Sequence, residues 1–251
     1  MTGARLSRLF EFPYFDHYLE LAFLEYEVGR LYEGRRVFFI GGGPLPLTPI
    51  AYAILELSLR QGVFLDLTAC LHSEVRDQSC RDRLSELVSG LTARGYNGSL
   101  HITSIDIQKK AASSAAVLVE KLGLAQLITV RQGDGCDVAL PADTQVVVVA
   151  SMAEPKQAIL KNIISQIRPD RELDLVVRSV EEQNLRQLLY RPIDPEMIGA
   201  LSSAYPRFQR SYSYVPPSGS RLINSFEVFR VSAAVDPTGL VQVIDPLDLA
   251  G

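Results

Sequence analysis

Residues 35–50 read RRVFFIGGGPLPLTPI, and this stretch decides the fold of the chain. The apolar run Val37–Ile40 is typical of a buried β-strand, and three glycines follow it directly. Glycines after a strand let the backbone approach a ligand closely, and the next helix can offer its N-terminal amides to a polar group. The stretch therefore predicts the first turn of a nucleotide-binding α/β domain, with Gly41, Gly42 and Gly43 as ligand-binding residues.

Two prolines distinguish this turn from a phosphate-binding loop. A loop that cradles phosphates needs successive free amides, and Pro44 and Pro46 each lack one. The sequence therefore disfavours a pyrophosphate ligand such as a nicotinamide dinucleotide, and it favours a cofactor without phosphates.

The composition is typical of a globular chain that acts on a small molecule. With 251 residues, of which 47% are hydrophobic, the chain can bury one large core and a small appended element. A net charge of -4 argues against nucleic acid or an anionic membrane as the main partner. The sequence has no signal-peptide pattern and no apolar run of membrane-spanning length, so we expect a cytoplasmic location and no membrane partner.

The three cysteines give no metal-site pattern. Cys70, Cys80 and Cys136 have no CxxC spacing, which is typical of a reducing compartment. Cys70, His72 and Cys80 offer three potential zinc ligands, but their spacing matches no zinc motif and no fourth ligand is evident. We therefore expect ordinary side chains here and no metal requirement.

Strand and helix signals alternate along most of the chain. Strands are expected at Val37–Ile40, Phe64–Leu67, Leu100–Ile105, Leu127–Val130, Val146–Ala150, Leu173–Val177, Arg210–Val215 and Asn224–Val231. Helices are expected between them at Ile50–Arg60, Asp82–Arg94, Lys110–Leu122, Lys156–Ile167 and Glu181–Leu189. Such alternation predicts an α/β fold with a mainly parallel sheet covered on both faces, and the last two strands can close one edge antiparallel.

Three segments are expected from these patterns. Residues 1–34 form a small N-terminal helical cap, in which Leu19–Tyr32 has helical apolar spacing. Residues 35–232 form the α/β domain. Residues 233–251 show no clear period and are interpreted as a C-terminal tail.

Several segments resemble the nicotianamine synthase-like family, in the family's order over residues 10–231. The glycine-rich turn resembles the family's strand followed by G-x-G-P-L-P-L-T. Upstream, FPYFDHY at 12–18 and LEY at 24–26 are similar to its F-P-Y-Y-x-N-Y and L-E-[FY] segments. Downstream, IDI at 105–107 is similar to its D-I-D segment, LYRPIDP at 189–195 to its L-Y-P-x-x-D region, and LINS at 222–225 to its closing V-I-N-S strand.

One part of the chain departs from the family pattern. The family's glycine-rich loop and D-I-D segment lie close together in sequence, whereas residues 51–105 hold an extra strand-like piece and an extra helix. Residues 67–97 are therefore interpreted as an insertion, which either lines the substrate entrance or is a surface embellishment.

The resemblance implies a Rossmann-like class I methyltransferase fold and S-adenosylmethionine as co-substrate. Such enzymes present the γ-carbon of the aminobutyrate arm, instead of the methyl group, to an amine, and they release 5′-methylthioadenosine. The expected reaction is therefore transfer of a 3-amino-3-carboxypropyl group to an amino acid. The chain begins nine residues before Phe10, so we expect a short helical cap and a single transfer.

That short cap resembles the bacterial opine-metallophore relatives of the staphylopine and pseudopaline type. The resemblance implies histidine as the acceptor and metallophore biosynthesis as the setting. It also implies a functional link to an opine dehydrogenase, and a homodimer is compatible with this interpretation.

Cofactor contacts are expected where strands end. Asp106 follows the second core strand, where it either accepts hydrogen bonds from the two ribose hydroxyls or caps a helix. The resemblance favours the ribose role, and it adds Pro44, Leu45 and Ile107 to the cofactor site.

Two later strand ends complete the expected cofactor site. Asp134 lies between two glycines, where it either approaches the adenine amino group or makes a plain turn. Ala150 and Ser151 end the Val146–Ala150 strand, and the resemblance places this backbone beside the sulfonium and the aminobutyrate arm.

The first helix carries candidates for the reaction itself. Tyr14, Tyr18, Leu21 and Glu25 are 4, 3 and 4 residues apart, so they share one helical face. Taken alone, this face either directs Glu25 into the cofactor crevice, or it is core and Glu25 pairs with an arginine such as Arg30 or Arg36. The resemblance implies that Glu25 is the general base or amine-orienting group, with Tyr14 and Tyr18 as walls of the acceptor pocket.

Arg178 is a further candidate for substrate binding. It matches the family's R-S at the end of the Leu173–Val177 strand, and it either binds a substrate carboxylate or forms a structural ion pair such as one with Glu181. Two other functions stay open from the residues. An ordinary small-molecule methyltransferase would release S-adenosylhomocysteine, and a non-catalytic protein would bind S-adenosylmethionine without consuming it.

Overall fold

The computed structural model of the chain describes residues 3–72, 78–168, 170–180, 193–216 and 224–232. Contacts divide the chain between Gly133 and Asp134 into two compact units, the N-terminal unit and the C-terminal unit. Several expectations lie outside the described residues, namely the helix Glu181–Leu189, residues 189–192 of LYRPIDP, residues 222 and 223 of LINS, and the tail at 233–251. The segment boundaries at residues 34 and 232 stay predictions.

The N-terminal unit combines helices with a three-stranded parallel sheet. Its helices are α1 (Gly3–Leu6), α2 (Phe15–Val28), α3 (Leu47–Arg60), α4 (Phe64–Leu71), α5 (Gln78–Ser89) and α6 (Lys109–Lys121), with 3₁₀-helices at Ser7–Glu11 and Leu31–Glu33. Its strands are β1 (Arg36–Ile40), β2 (His101–Asp106) and β3 (Ile128–Gln132). The strand order is β3-β2-β1, with Phe38 opposite Thr103 and Ile102 opposite Ile128.

The C-terminal unit holds four strands in the order β4-β5-β7-β6. They are β4 (Val146–Val149), β5 (Leu173–Val180), β6 (Phe208–Tyr214) and β7 (Asn224–Val231), and the helices are α7 (Lys156–Ser165) and α8 (Pro195–Ala204). β4 and β5 are parallel, whereas β7 pairs antiparallel with both β5 and β6. The predicted antiparallel edge is therefore confirmed.

Two of the parallel strands, β1 and β4, form where the sequence is continuously apolar. All four valines of β4 are buried, and four of the five residues of β1 are buried. Such runs are typical of strands that are covered on both faces, and β-branched side chains suit the pleated backbone. Seven of the eight expected strands are found near their predicted positions.

The strand expected at Phe64–Leu67 is wrong, because this segment begins α4. Its buried residues Leu67, Cys70 and Leu71 have helical spacing, and Phe64 packs on Phe23 of α2 at a ring-centroid distance of 6.1 Å. A run of four residues is too short for its periodicity to separate the two structures.

The bounds of two other helices differ from the expectation, and one helix was not expected. α2 begins at Phe15, four residues before the expected start, and α5 ends at Ser89, before the expected end at Arg94. α8 was not expected, although Asp194 caps it by accepting a hydrogen bond from the Glu196 amide and Pro195 occupies its first turn. These are the ordinary signals of a helix start.

A buried carboxylate joins α2 to α3. Glu56 of α3 is fully buried, and its Oε2 accepts a hydrogen bond of 2.8 Å from Tyr26 of α2. Its Oε1 accepts hydrogen bonds from Tyr96 at 3.0 Å and from Arg60 at 2.9 Å. Since a buried charge is tolerated only when it is hydrogen-bonded and paired, these three donors explain how Glu56 fits the core.

The same network raises the pKa values of Tyr26 and Tyr96. Burial raises the pKa of Tyr26 far above its ordinary value, and the charge and hydrogen bond of Glu56 raise it further. Burial and then Glu56 also raise the pKa of Tyr96. Both phenols therefore stay protonated in the folded protein at pH values where the unfolded chain begins to ionise.

The loop after β1 lies directly on β2. The amides of Gly41 and Gly42 both donate to the Ile105 carbonyl, at 2.9 and 3.0 Å. A Cβ atom on Gly42 would overlap with Oγ of Ser104, which is buried and has no hydrogen-bond partner among the described residues. The absence of a side chain at Gly42 therefore leaves room for the Ser104 hydroxyl.

We expect Tyr26→Phe to lower the free energy of unfolding at pH 7 by about 1–3 kcal/mol, because Oε2 of Glu56 stays buried and loses its donor. In the wild type, stability is fully present below pH 10 and falls as the pH rises above about 10, the pKa of an unfolded tyrosine. The variant removes one of the three tyrosines whose pKa is raised, Tyr26, Tyr96 and Tyr212, so this fall becomes shallower. Urea unfolding from pH 7 to pH 11 measures both effects.

The control for this prediction is Tyr32→Phe, which removes the hydroxyl of a tyrosine that is 42% exposed. Equal losses of stability in Tyr26→Phe and Tyr32→Phe would contradict the role of the buried network.

We also expect Gly42→Ala to destabilise the protein and Ser104→Ala to relieve most of that loss. The added methyl group meets Oγ of Ser104, whereas it lies 3.7 Å from the Ser104 Cβ, which is an ordinary contact. Urea unfolding of the two single variants and the double variant forms a double-mutant cycle. Additive losses of stability would show that the two residues do not meet.

Candidate functional site

Three consecutive glycines shape the loop between β1 and α3. Gly41 and Gly43 have φ values of 88° and 65°, which are left-handed conformations that side chains disfavour. The predicted strand, glycine turn and helix are all present in this order.

The start of α3 offers few free amides. Pro46 and Pro49 have none, the Leu47 amide donates to Leu45, and the Ile50 amide donates to Pro46. A pyrophosphate site needs a row of unbonded amides at this position. The geometry therefore agrees with the predicted preference for a ligand without phosphates.

Asp106 ties the end of β2 to the glycine loop. Its Oδ2 accepts a hydrogen bond of 2.9 Å from the Gly43 amide, and its Oδ1 accepts one of 2.9 Å from the Gln108 amide. The residue that caps α6 is Gln108, so Asp106 is not the N-cap. A carboxylate has about four lone-pair sites, so each oxygen of Asp106 can accept a further hydrogen bond from a ligand hydroxyl.

Two apolar side chains adjoin this contact in sequence and remain exposed. Ile107, which follows Asp106, is 60% exposed, and Leu45, which lies two residues after Gly43, is 40% exposed. Exposed apolar side chains beside a polar anchor suit a ligand that has a flat apolar part and a hydroxylated part.

The predicted face of α2 runs from the surface into the interior. Tyr14 is 52% exposed, Tyr18 is half-buried, Leu21 is buried and Glu25 is fully buried. The Tyr14 ring contacts the ring of His17 with a centroid separation of 6.0 Å. The face therefore leads from two tyrosines to a carboxylate.

Glu25 is held by a tyrosine that the sequence analysis missed. Tyr52 of α3 donates a hydrogen bond of 2.6 Å to Oε2 of Glu25, and both side chains are fully buried. Arg30, which was considered as an ion-pair partner of Glu25, is exposed and pairs with Glu33. Tyr52 lies five residues after Leu47, so it is about 7.5 Å along α3 from the first residue of that helix.

The two contacts between α2 and α3 form a crossed arrangement. α2 contributes the acid Glu25 and the neighbouring phenol Tyr26, whereas α3 contributes the phenol Tyr52 and the acid Glu56 one turn later. Each acid accepts a hydrogen bond from the other helix. Polar residues four apart in an otherwise apolar helix were the sequence signal that could have found Tyr52 and Glu56.

In the C-terminal unit, Asp134 closes a turn. Its Oδ1 accepts a hydrogen bond of 2.9 Å from the Cys136 amide, and its backbone carbonyl accepts from the amides of Asp137 and Val138. These contacts are those of the plain turn that was one alternative for Asp134. Its contact with the adenine amino group stays a prediction.

A buried lysine organises the residues after β4. Lys156 is 4% exposed, and its Nζ donates to the Ser151 carbonyl at 2.7 Å and to Glu154 Oε1 at 2.7 Å. Ala150 and Ser151 are themselves 9% exposed. This buried lysine was not predicted, because a Lys after an acid and a proline is most often solvated.

Arg178 lies inside β5, which extends three residues beyond its expected end. It is 3% exposed and stands opposite Phe226 of β7 in the strand register. Ser179, the next residue, accepts a hydrogen bond of 2.8 Å from the Ile193 amide. Glu181, its considered partner, lies outside the described residues, so both roles of Arg178 stay predictions.

The predicted site residues fall into two groups. The N-terminal unit contains Tyr14, Tyr18, Glu25, Gly41, Gly42, Gly43, Pro44, Leu45, Asp106 and Ile107. The C-terminal unit contains Asp134, Ala150, Ser151 and Arg178. The structure shows a direct bond between Gly43 and Asp106, and it adds Tyr52 and Ser104 to the first group and Lys156 to the second.

Neither a metal-ion site nor a membrane-spanning helix is found among the described residues. Within the described ranges, no three His, Cys, Asp or Glu residues are arranged to hold a metal ion. No helix in the same part of the chain has the length and apolar character needed to cross a membrane.

Comparison with known proteins gives one family and one fold. A family model described as nicotianamine synthase protein matches residues 3–234. The chain is similar to nicotianamine synthase 8 of Hordeum vulgare, with 26% identity over 253 residues that cover 96% of this chain and 64% of that protein. It is also similar to the structure of archaeal MtNAS in complex with MTA and tNA, with a TM-score of 0.59, 23% identity, and coverage of 89% of this chain and 63% of that one.

A methyltransferase shares the fold at lower identity. A putative O-methyltransferase from Klebsiella pneumoniae matches with a TM-score of 0.50 and 12% identity over 84% of this chain and 80% of that one. The predicted fold class, an α/β Rossmann-like methyltransferase fold with N-terminal helices, is confirmed. This chain spans less than two thirds of the length of the Hordeum vulgare protein and of MtNAS. Because the family model covers most of its residues, the chain belongs to the nicotianamine synthase family.

Proposed function

We propose that this protein transfers the 3-amino-3-carboxypropyl group of S-adenosylmethionine to the amine of an amino acid and releases 5′-methylthioadenosine. The observation that carries this proposal is the bond between Tyr52 and Glu25. It holds a buried carboxylate against the helix that begins at the glycine loop, where a cofactor of the predicted type would bind. The MtNAS structures are described as complexes with S-adenosylmethionine, and with MTA and tNA, which supports the same choice of co-substrate.

The cofactor is held in this proposal by the loop and by Asp106. Asp106 accepts the ribose hydroxyls while its bonds to two amides keep the carboxylate in place. Leu45 and Ile107 cover the apolar part of the adenosine, and Gly41, Gly42, Gly43 and Pro44 let the backbone approach. Asp134, Ala150 and Ser151 keep their predicted cofactor roles as part of the proposal.

The chemistry needs an unprotonated amine in line with the γ-carbon of the aminobutyrate arm. As the nitrogen–carbon bond forms, the carbon–sulfur bond breaks and its electron pair stays on the sulfur of methylthioadenosine. Glu25 accepts the proton that the amine loses, and Tyr52 fixes one of its oxygens through the transfer. Tyr14 and Tyr18 line the approach of the acceptor, and Arg178 is proposed to bind a substrate carboxylate.

The acceptor is proposed to be histidine, and the setting is opine-type metallophore biosynthesis. A reductive step by an opine dehydrogenase would then consume the product. A cytoplasmic location, a homodimer and activity without a metal belong to the same proposal.

Product analysis tests the proposal against its alternatives. The protein is incubated with S-adenosylmethionine and each amino acid in turn, and mass spectrometry detects an added aminobutyrate group and the sulfur-containing by-product. Release of methylthioadenosine with an extended amino acid supports the proposal. Release of S-adenosylhomocysteine would identify a methyltransferase, and binding without consumption would identify a non-catalytic protein.

We expect Asp106→Ala to weaken binding of S-adenosylmethionine by about 1–3 kcal/mol, the scale of hydrogen bonds to a charged acceptor. Isothermal titration calorimetry measures this change, and circular dichroism checks that the variant is folded. The control is Asp66→Ala, which removes an exposed acid of the N-terminal unit. Unchanged affinity in a folded Asp106→Ala variant would remove Asp106 from the ribose site.

We expect Glu25→Gln to keep its affinity for S-adenosylmethionine and to lose about 10²–10⁴-fold in turnover, the contribution of a positioned general base. Glutamine keeps the size and the bond from Tyr52 but cannot accept the proton. Release of methylthioadenosine is followed across pH, together with calorimetry. Glu27→Gln is the matched control, since Glu27 is a half-buried acid on the same helix.

One outcome would contradict the role of Glu25 as general base. Wild-type turnover by Glu25→Gln across the pH range would make Glu25 a structural acid, and the base would then be sought at Tyr14 or Tyr18.

A further inference from the structure

Helix α5 of the inserted segment packs on the start of the chain. Its buried residues Leu84 and Val88 face inward, and the 3₁₀-helix Ser7–Glu11 lies against it with Leu9 and Phe10 buried. The two elements lie about 70 residues apart in sequence, so their contact is a tertiary one. Residues 67–97 are therefore joined to the segment that leads into α2.

One side chain makes the polar part of this contact. Nη2 of Arg81 donates a hydrogen bond of 3.0 Å to the carbonyl of Phe10 and one of 3.4 Å to the carbonyl of Phe12. The Phe12 carbonyl also accepts the Phe15 amide at 3.1 Å, a turn bond that directly precedes α2. Arg81 thus binds an oxygen of the turn from which α2 starts.

The Phe12 carbonyl lies two residues from Tyr14, and the rings of these residues touch. The Phe12 and Tyr14 rings are 5.9 Å apart with an interplanar angle of 71°, and Tyr14 in turn contacts His17. A shift of the Phe12 backbone would therefore move the Tyr14 ring. Tyr14 is exposed and begins the face that leads to Glu25.

We propose that Arg81 is a positioning residue for acceptor binding, because it fixes the turn of residues 10–14 and so holds Tyr14 at the entrance of the acceptor pocket. The identity of the ligand, a zwitterionic amino acid whose carboxylate accepts a hydrogen bond from the Tyr14 phenol, rests on the proposed function. Through Arg81, the inserted segment then contributes to acceptor binding.

The chemistry of the side chain suits this role. A guanidinium is planar, always charged and carries several donors in a fixed geometry, so it can hold two carbonyls at once. A lysine ammonium keeps the charge but reaches a different position on a flexible stem. Arg81→Lys should therefore restore only part of what Arg81→Ala loses.

The first experiment separates the kinetic constants. Steady-state rates of methylthioadenosine release are measured for Arg81→Ala, Arg81→Lys and the control Arg83→Ala, with the acceptor and S-adenosylmethionine varied in turn. Arg83 is exposed and lies on the same helix. We expect Arg81→Ala to raise the KM for the acceptor about 10-fold or more, a change that corresponds to 1.4 kcal/mol, with the KM for S-adenosylmethionine unchanged. Arg81→Lys gives an intermediate value, and Arg83→Ala matches the wild type.

The second experiment does not depend on activity. The chain contains no tryptophan, so Tyr14→Trp introduces a single fluorophore at the position that Arg81 is proposed to hold. Time-resolved fluorescence anisotropy is compared between Tyr14→Trp alone, Tyr14→Trp with Arg81→Ala, and Tyr14→Trp with Arg83→Ala. We expect greater local motion of the indole only when Arg81 is replaced. Tyr14→Trp alone and Tyr14→Trp with Arg83→Ala should have equal thermal unfolding midpoints.

The outcomes separate this inference from the proposed function. Unchanged anisotropy on replacing Arg81 overturns the positioning role, and so does an increase in the KM for S-adenosylmethionine equal to that for the acceptor. Greater indole motion with an unchanged acceptor KM overturns the link to acceptor binding. If the wild type releases no methylthioadenosine with any amino acid, the proposed function fails, while the anisotropy comparison still decides whether Arg81 fixes the turn.

Discussion

Two carboxylates buried between α2 and α3 set the constraint on which the N-terminal unit depends. A buried acid is stable only with donors in place, and here each acid takes a phenol from the opposite helix, Tyr52 for Glu25 and Tyr26 for Glu56. Sliding one helix by a single residue would unpair both acids, so the register of the two helices is fixed more strictly than apolar packing alone requires. Because α3 begins at the glycine loop, this register also sets the distance between Glu25 and the loop along the axis of α3.

Asp106 applies a second constraint at the edge of the sheet. Its two hydrogen bonds to backbone amides hold the loop after β1 against the end of β2, so its charge is already partly satisfied before any ligand binds. These bonds match neither of the two roles that the sequence allows for Asp106, the cap of a helix and the acceptor of the ribose hydroxyls. A carboxylate that organises its own loop is pre-organised for a further donor, since the ligand then meets an acceptor that does not have to move.

The sequence predicted those features that depend on local pattern. The strands β1 and β4 follow from apolar runs, and the turn after β1 follows from glycine geometry. The strand at Phe64–Leu67 was wrong because four residues cannot show a period. Tyr52 was missed because its partner Glu25 is fixed by the tertiary packing of α2 on α3, although its spacing from Glu56 offered a signal. Lys156 was missed because two of its acceptors are backbone carbonyls, which leave no trace in residue type.

Two side chains of the segment at 67–97 make polar contacts with other parts of the N-terminal unit. The first is Tyr96, which donates a hydrogen bond to Glu56 of α3, the residue that also accepts the Tyr26 phenol from the last turn of α2. The second is Arg81, which bonds the backbone just before α2 begins. A surface addition would need only to cover apolar area, whereas this segment supplies hydrogen bonds to Glu56 of α3 and to the backbone that precedes α2. Since Glu56 in turn binds Tyr26 of α2, both contacts constrain the helix that carries Glu25.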